Sequence, residues 1–203
     1  MDTWVGIEVT RQLRVNDGQL QPAGALSVGG VNLLDHQLMI ARQITDSDHI
    51  CVLSPQGDET MLELIARHEV RELAPFDFIA MLNDRAKQGE AGAVVLLRQI
   101  APLHDARPVK SALKLLKNHP AVVSASRPPE GHKRHEPLPG ETAPDYRCLA
   151  FEVRRLDQFG LGAMDAANHG NEELLFIAWD DFAEYTRPED KLEVTAKIAN
   201  WRI

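Results

Sequence analysis

The chain has 203 residues, 44% hydrophobic and 26% charged, ordinary values for a globular protein with one well-filled core. A formal net charge of −8 argues against a nucleic-acid-binding face, which needs clustered cations to neutralise phosphates. No apolar run approaches the roughly 20 residues of a membrane span, and "MDTWVGIEV" lacks the basic start and cleavage site of a secretory leader, so a cytoplasmic location is expected.

"WVGIEV" (4–9) predicts a buried strand. The polar stretch after it, with Gly18, Pro22, Gly24, Gly29 and Gly30, has almost no periodicity. Loops of that length are uncommon in compact domains and are often functional. Asn32 stands where it can cap a helix carrying Leu33, Leu34, Leu38, Ile40, Ala41 and Ile44 at helical spacing. "HICVLS" (49–54) is a second short strand, and "GDETMLELIARHEV" is a helix with acids in its first turn and Leu62, Ile65 and Ala66 on one face. A third helix is expected over 76–88, then the most hydrophobic strand, "AVVLLR" (93–98).

The helix in "ARPVKSALKLLKNHP" spaces Val109, Ala112, Leu113 and Leu116 and stops at Pro120, before the strand "AVVSAS" (121–126). Short all-apolar strands alternating with amphipathic helices predict an α/β three-layer sandwich around a mainly parallel, mixed sheet. The pattern breaks over about 127–145, a proline-rich surface excursion that holds the basic cluster "GHKRHEP". Strands resume at "YRCLAFEVRR" (146–155) and "LLFIAW" (174–179), and Thr186 and Glu189 suit a capping box for a last helix. The two cysteines, Cys51 and Cys148, sit in apolar runs and read as buried free thiols. There is no nucleophile elbow and no dinucleotide glycine fingerprint.

In their order, these segments resemble the acylneuraminate cytidylyltransferases (CMP-sialic acid synthetases), within the nucleotide-diphospho-sugar transferase fold. "ALSVGGVNLLDHQLMIAR" resembles the family's segment after the nucleotide loop, and "DHICVLSPQGDETMLELIARHEV" its next strand, turn and helix. "VVLLRQIAPLHDARPVKSALKLLKNHPAVVSAS" is similar to the unit containing Leu-Gln-Pro-Thr-Ser-Pro-Leu-Arg. "YRCLAFEVRR" and "EYTRPEDKLEVTAKI" fall where the family has its Arg-Asn-Gly-Ala strand and its terminal helix. The resemblance spans nearly the whole chain and implies a single nucleotidyltransferase-like domain over residues 1–203.

It also implies a reaction: transfer of a nucleotide from CTP to an acidic or modified sugar, with release of pyrophosphate. Such a site neutralises about four negative charges and aligns nucleophile and leaving group. The chain departs from the family at several of the positions that would do so. The loop "VTRQLRVNDGQLQPAGALSVGG" contains no lysine; the family's two lysines fall on Ala23 and Val31. Arg11 or Arg14 is left as a phosphate-binding residue, or else as a solvated loop arginine. At the end of the central strand, Arg98 and Gln99 stand where the family has glutamine and proline. Arg98 is there either to clamp a sugar carboxylate in a bidentate pair or to bond a neighbouring loop. Arg147 keeps the arginine of the later strand and is a further substrate-binding candidate.

The family's Asp-x-Asp metal pair falls on Glu184 and Thr186, so Mg²⁺ would depend on Glu184, with Asp180 and Asp181 close by. The family's habit implies a homodimer formed through the excursion. Two functions stand at this point: a cytidylyltransferase of impaired or altered activity, and a catalytically silent relative that binds a nucleotide or sugar.

Overall fold

The computed structural model of the chain describes residues 2–9, 12–14, 20–28, 30–54, 58–98, 103–125, 150–158 and 174–178. In chain order the elements are β1 (Asp2–Glu8), β2 (Gln12–Arg14), β3 (Leu20–Pro22), β4 (Ser27–Val28), β5 (Val31–Asn32), α1 (Leu33–Arg42), β6 (Ile50–Leu53), α2 (Glu59–Ala66), β7 (Arg71–Leu73), α3 (Pro75–Lys87), β8 (Gly92–Arg98), α4 (Arg107–Leu115), β9 (Ala121–Ala125), β10 (Phe151–Arg155) and β11 (Leu174–Ala178). Seven strands form one sheet in the order β11-β9-β10-β8-β1-β6-β7. Every pairing is parallel except those of β10, which runs against both β8 and β9. The sheet is thus mainly parallel and mixed, as the sequence predicts, and its strands come from nearly the whole length of the chain.

Helices cover both faces. Leu34 and Leu38 of α1, Met61 and Ile65 of α2 and Val109 and Ala112 of α4 pack on Val5, Ile7, Val52, Val95 and Leu97. On the opposite face α3 lays Phe78, Ile79 and Leu82 on Trp4, Cys51, Leu53, Val94 and Leu96. Successive residues of a strand point to opposite faces, so β8, covered on both, is apolar at every position from Ala93 to Leu97. Gly6 is the close-approach point beneath α3. A Cβ there would stand 3.0 Å from side-chain atoms of Leu53, Leu96 and Phe78.

Three details differ from the sequence expectation. The buried row of α2 is Met61, Leu64 and Ile65, whereas Leu62 and Ala66 face solvent. The carboxylate of Asp58 accepts the Met61 amide at 3.2 Å and so sets the helix's first turn. Strand β7 was not predicted: it is an edge strand with a single apolar residue, Leu73, held through main-chain pairing with β6. The stretch after β1, where described, is not structureless. It holds two small antiparallel ribbons, β2–β3 and β4–β5, and a 3₁₀ turn, Ala23–Ala25, whose residues are all buried. Asn32 does occupy the N-cap of α1, but its side chain makes no capping bond.

No helix among the described residues is long and apolar enough to cross a membrane. The 127–145 excursion and the expected terminal helix lie outside the described residues.

The connections place the reversal of strand order between β1 and β8. From β1 the chain steps outward through β6 to β7, with α1 and α2 on one face. It then returns along the other face through α3, and β8 pairs on the far side of β1. The strand order therefore reverses between β1 and β8, and in open α/β sheets the crevice outside the carboxyl ends at such a point receives ligands.

Candidate functional site

At that reversal Glu8, the last residue of β1, stands opposite Arg98, the last residue of β8. The Arg98 guanidinium donates to the Glu8 carboxylate and lies 4.0 Å from the carboxylate of Glu152 on β10. Glu152 in turn accepts from Arg154, which is the largest fully buried side chain of the described residues. Two acids and two arginines thus alternate along one side of the sheet. Their formal charges cancel, the condition under which ions can be buried at all. Exposure is graded along the row: the side chains of Glu152 and Arg154 are 1% exposed, those of Arg98 and Glu8 15% and 24%. Arg98 is therefore bonded to a neighbouring strand.

The main chain of Arg98 is held at both its amide and its carbonyl. Its amide donates to the Ala150 carbonyl at 3.0 Å. Its carbonyl accepts from Gln37 Nε2 on α1 at 3.1 Å. One residue back on the same helix, His36 Nε2 bonds the Leu103 carbonyl at 2.6 Å, which requires the proton on that nitrogen. Helix α1 thereby holds the main chain at both Arg98 and Leu103. His36 and Gln37 were not singled out by the sequence. The signal lay in the three polar residues, Asp35, His36 and Gln37, between Leu34 and Leu38 on a helix whose facing side is otherwise apolar. Asp105, by contrast, is engaged locally: it accepts the Arg107 amide at 2.7 Å and pairs with the Arg107 side chain at the start of α4.

Of the other predicted site residues, Arg14 belongs to β2, paired with Leu20 of β3. Arg11, Gln99, Arg147 and Glu184 lie outside the described residues. The two positions where the resemblance expects lysines are described: Ala23 is wholly buried and Val31 partly so. Among the described residues no group of three His, Cys, Asp or Glu side chains is placed to hold a metal ion. Glu8 and Glu152, the carboxylates at these strand ends, each face a guanidinium and do not fit a Mg²⁺ site. Cys51 is buried, and burial pushes its thiol up to about 11 against the pull of Arg71 and Arg85, so it is protonated and unreactive at neutral pH.

Solved structures share this architecture along nearly their whole length. The 4-diphosphocytidyl-2C-methyl-D-erythritol synthase of Anaerococcus prevotii superposes with a TM-score of 0.66 at 12% identity, over 97% of this chain and 99% of that one. A CMP:2-keto-3-deoxy-manno-octonic acid synthetase complexed with CTP gives 0.66 and 12%, over 98% and 99%. The fold is that of the nucleotide-diphospho-sugar transferases. A third neighbour, HddC from Yersinia pseudotuberculosis complexed with GMP-PN, aligns with a TM-score of 0.63 at 10% identity over 97% and 99%. Identities this low establish the fold alone. By sequence, no family model and no curated protein matches the chain.

Proposed function

We propose that the chain binds a nucleotide in the crevice outside β1 and β8, and that it transfers the nucleotide from CTP to an acidic or modified sugar far more slowly than a complete site would. One observation carries this reading. At the point where strand order reverses, the guanidinium that would meet substrate anions is already paired with the chain's own Glu8, with Glu152 close behind. A triphosphate needs several cations, and each missing transition-state donor costs about 3–4 kcal/mol. Ala23 and Val31, standing for two lysines, remove further charge.

Arg11, Arg14, Gln99 and Arg147 are proposed to complete the binding surface. Glu184, with the substrate's phosphates, is proposed to hold Mg²⁺. The same reading takes the chain as one domain, cytoplasmic, and dimeric through the 127–145 segment.

The test is pyrophosphate release with CTP, Mg²⁺ and a panel of acidic sugars, run beside equilibrium binding of CTP. Measurable CTP binding with barely detectable release supports the reading. Robust release that disappears in Arg98→Ala overturns it in favour of a working transferase with a rebuilt phosphate clamp. Absence of binding by any nucleotide overturns it altogether.

A further inference from the structure

The outer face formed by α1, α2 and α4 carries a charge pattern that the crevice at the strand ends leaves unused. Residues 106–120, which hold α4, contain Arg107, Lys110, Lys114 and Lys117 and no acid, in a chain whose formal net charge is −8. All four cations are exposed. Arg107 pairs with Asp105, whereas Lys110 and Lys114, one turn apart, form no ion pair among the described residues. Helix α2 is the counterpart. Glu59 and Glu63 have the same spacing, are exposed, and form no ion pair among the described residues either. Arg67, at the C-cap, ends this acidic row. Surface charges of opposite sign are ordinarily interspersed; here they are kept on separate helices.

Helix α1 lies between the two. Asp35 bonds the His68 ring at 2.7 Å and Arg42 the His68 carbonyl at 2.9 Å, just past α2, while His36 bonds the Leu103 carbonyl ahead of α4. All three helices pack on one side of the sheet, and each leads from the carboxyl end of one strand to the start of another parallel to it, so they run in the same direction. The face also holds two of the three exposed large hydrophobic side chains of the described residues, Met39 on α1 at 47% and Leu62 on α2 at 43%. With acids to one side of α1 and cations to the other, the face is complementary to itself.

We propose that a second copy of this chain docks on this face by two-fold symmetry. Such a contact pairs one patch with its own image. With the axis along the helices, α2 of each copy meets α4 of the other, Glu59 and Glu63 against Lys110 and Lys114, and the two Met39 side chains gather about the axis. With the axis across the helices, α2 meets α2 and α4 meets α4, which sets like charges together. Charge therefore selects the first arrangement. The contact is separate from the one proposed for residues 127–145 and does not depend on the nucleotide reading.

The test is sedimentation equilibrium of the full chain and its charge-reversed variants from about 1 to 300 μM, the range of a weak, polar contact. The unaltered chain is expected to self-associate, more weakly as salt screens the charges. Glu59→Lys/Glu63→Lys makes both rows basic, and Lys110→Glu/Lys114→Glu makes both acidic. Each double variant is expected to self-associate about tenfold more weakly or worse, since every reversed pair occurs twice in a two-fold contact. Mixed together, the two are expected to associate with each other. The quadruple variant, with the rows exchanged, is expected to self-associate about as tightly as the unaltered chain.

Should a double variant fold poorly, Met39→Glu, which sets two carboxylates beside the axis, is expected to separate the copies, and its indifference overturns the proposal. A monomer at every concentration overturns it and leaves the face to an unlike partner. Self-association that neither double variant weakens overturns it and leaves the dimer to residues 127–145. Weakening in Lys110→Glu/Lys114→Glu alone overturns it as well, and assigns α4 to a different acidic surface.

Discussion

Gln37 on α1, wholly buried, donates from Nε2 to the main-chain carbonyl of Arg98 at 3.1 Å, across 61 residues of sequence. This bond ties the innermost helix face to the strand end where the crevice opens. With His36 on Leu103 it makes α1 the support for the turn after β8.

Gln37→Ala should lower stability by about 2–4 kcal/mol, since it deletes buried volume and strands the Arg98 carbonyl. His36→Ala should cost a comparable amount for the same reasons. Urea denaturation with an unchanged m-value checks both. A loss below about 0.5 kcal/mol in each, the size of an ordinary surface change, would show that the turn does not depend on α1.

Installing the lysine that the resemblance expects at position 23 should not rescue activity. Ala23 has no exposed surface in its 3₁₀ turn, so Ala23→Lys forces a long charged chain into filled space and should destabilise by several kcal/mol. Val31→Lys, at a half-buried position of β5, should be tolerated within about 1 kcal/mol. Thermal unfolding of the two variants separates them. Equal tolerance would mean that the loop segment packs differently around Ala23.

Gly6→Ala tests the seating of α3 on the sheet. The new methyl meets Leu53, Leu96 and Phe78 at 3.0 Å, so either the side chains or the helix must give way, at a cost of about 1–3 kcal/mol. The double variant with Phe78→Leu should be hit less hard than the sum of the singles, because the two changes share one space. Strict additivity in that cycle would contradict the packing.

Much of this fold is legible in the sequence because burial on both faces forces a recognisable alphabet. "AVVLL" in β8 is a short, apolar run rich in β-branched residues, which suits a strand buried on both faces, and the capping position of Asn32 follows from the apolar spacing behind it. The face of α2 differs by one residue because Met61–Leu64–Ile65 and Leu62–Ile65–Ala66 are both rows of helical neighbours, and packing in the core decides between them. Edge strand β7 is held by main-chain bonds, which leave no mark on side-chain pattern. The site was harder still. Arg98 was visible as a cation at a strand end, but Glu8 is 90 residues away and gains meaning only when register sets the two side by side. His36 and Gln37 have the same origin: their partners are carbonyl groups, and a carbonyl has no letter in the sequence.

Cys51 gives a pH signature of its own. Its thiol is raised from 9.0 to about 11 by burial, so the native state holds its proton where the unfolded chain has lost it. Folding stability from this group is full below about pH 9 and is lost as pH rises through 11, a fall of about 2 kcal/mol. The difference in stability between the unaltered chain and Cys51→Ala, followed by chemical denaturation from pH 8 to 11, isolates it. A flat difference over that range would contradict the burial argument. Thiol reagents at pH 8 should modify Cys51 only under denaturing conditions.

The account stands or falls on whether a ligand enters where strand order reverses. The direct measurement is a titration of the isotope-labelled chain with CTP and Mg²⁺, followed by amide and arginine side-chain resonances. The prediction is that shifts concentrate on Glu8, Val9, Arg98 and Leu103 and include the Gln37 side-chain amide, while Trp4 and Asp2 at the opposite end of β1 stay unmoved. Shifts confined to that opposite end or to the outer faces of the helices, or none at a CTP concentration near 10 mM where even millimolar binding is nearly saturated, would contradict it.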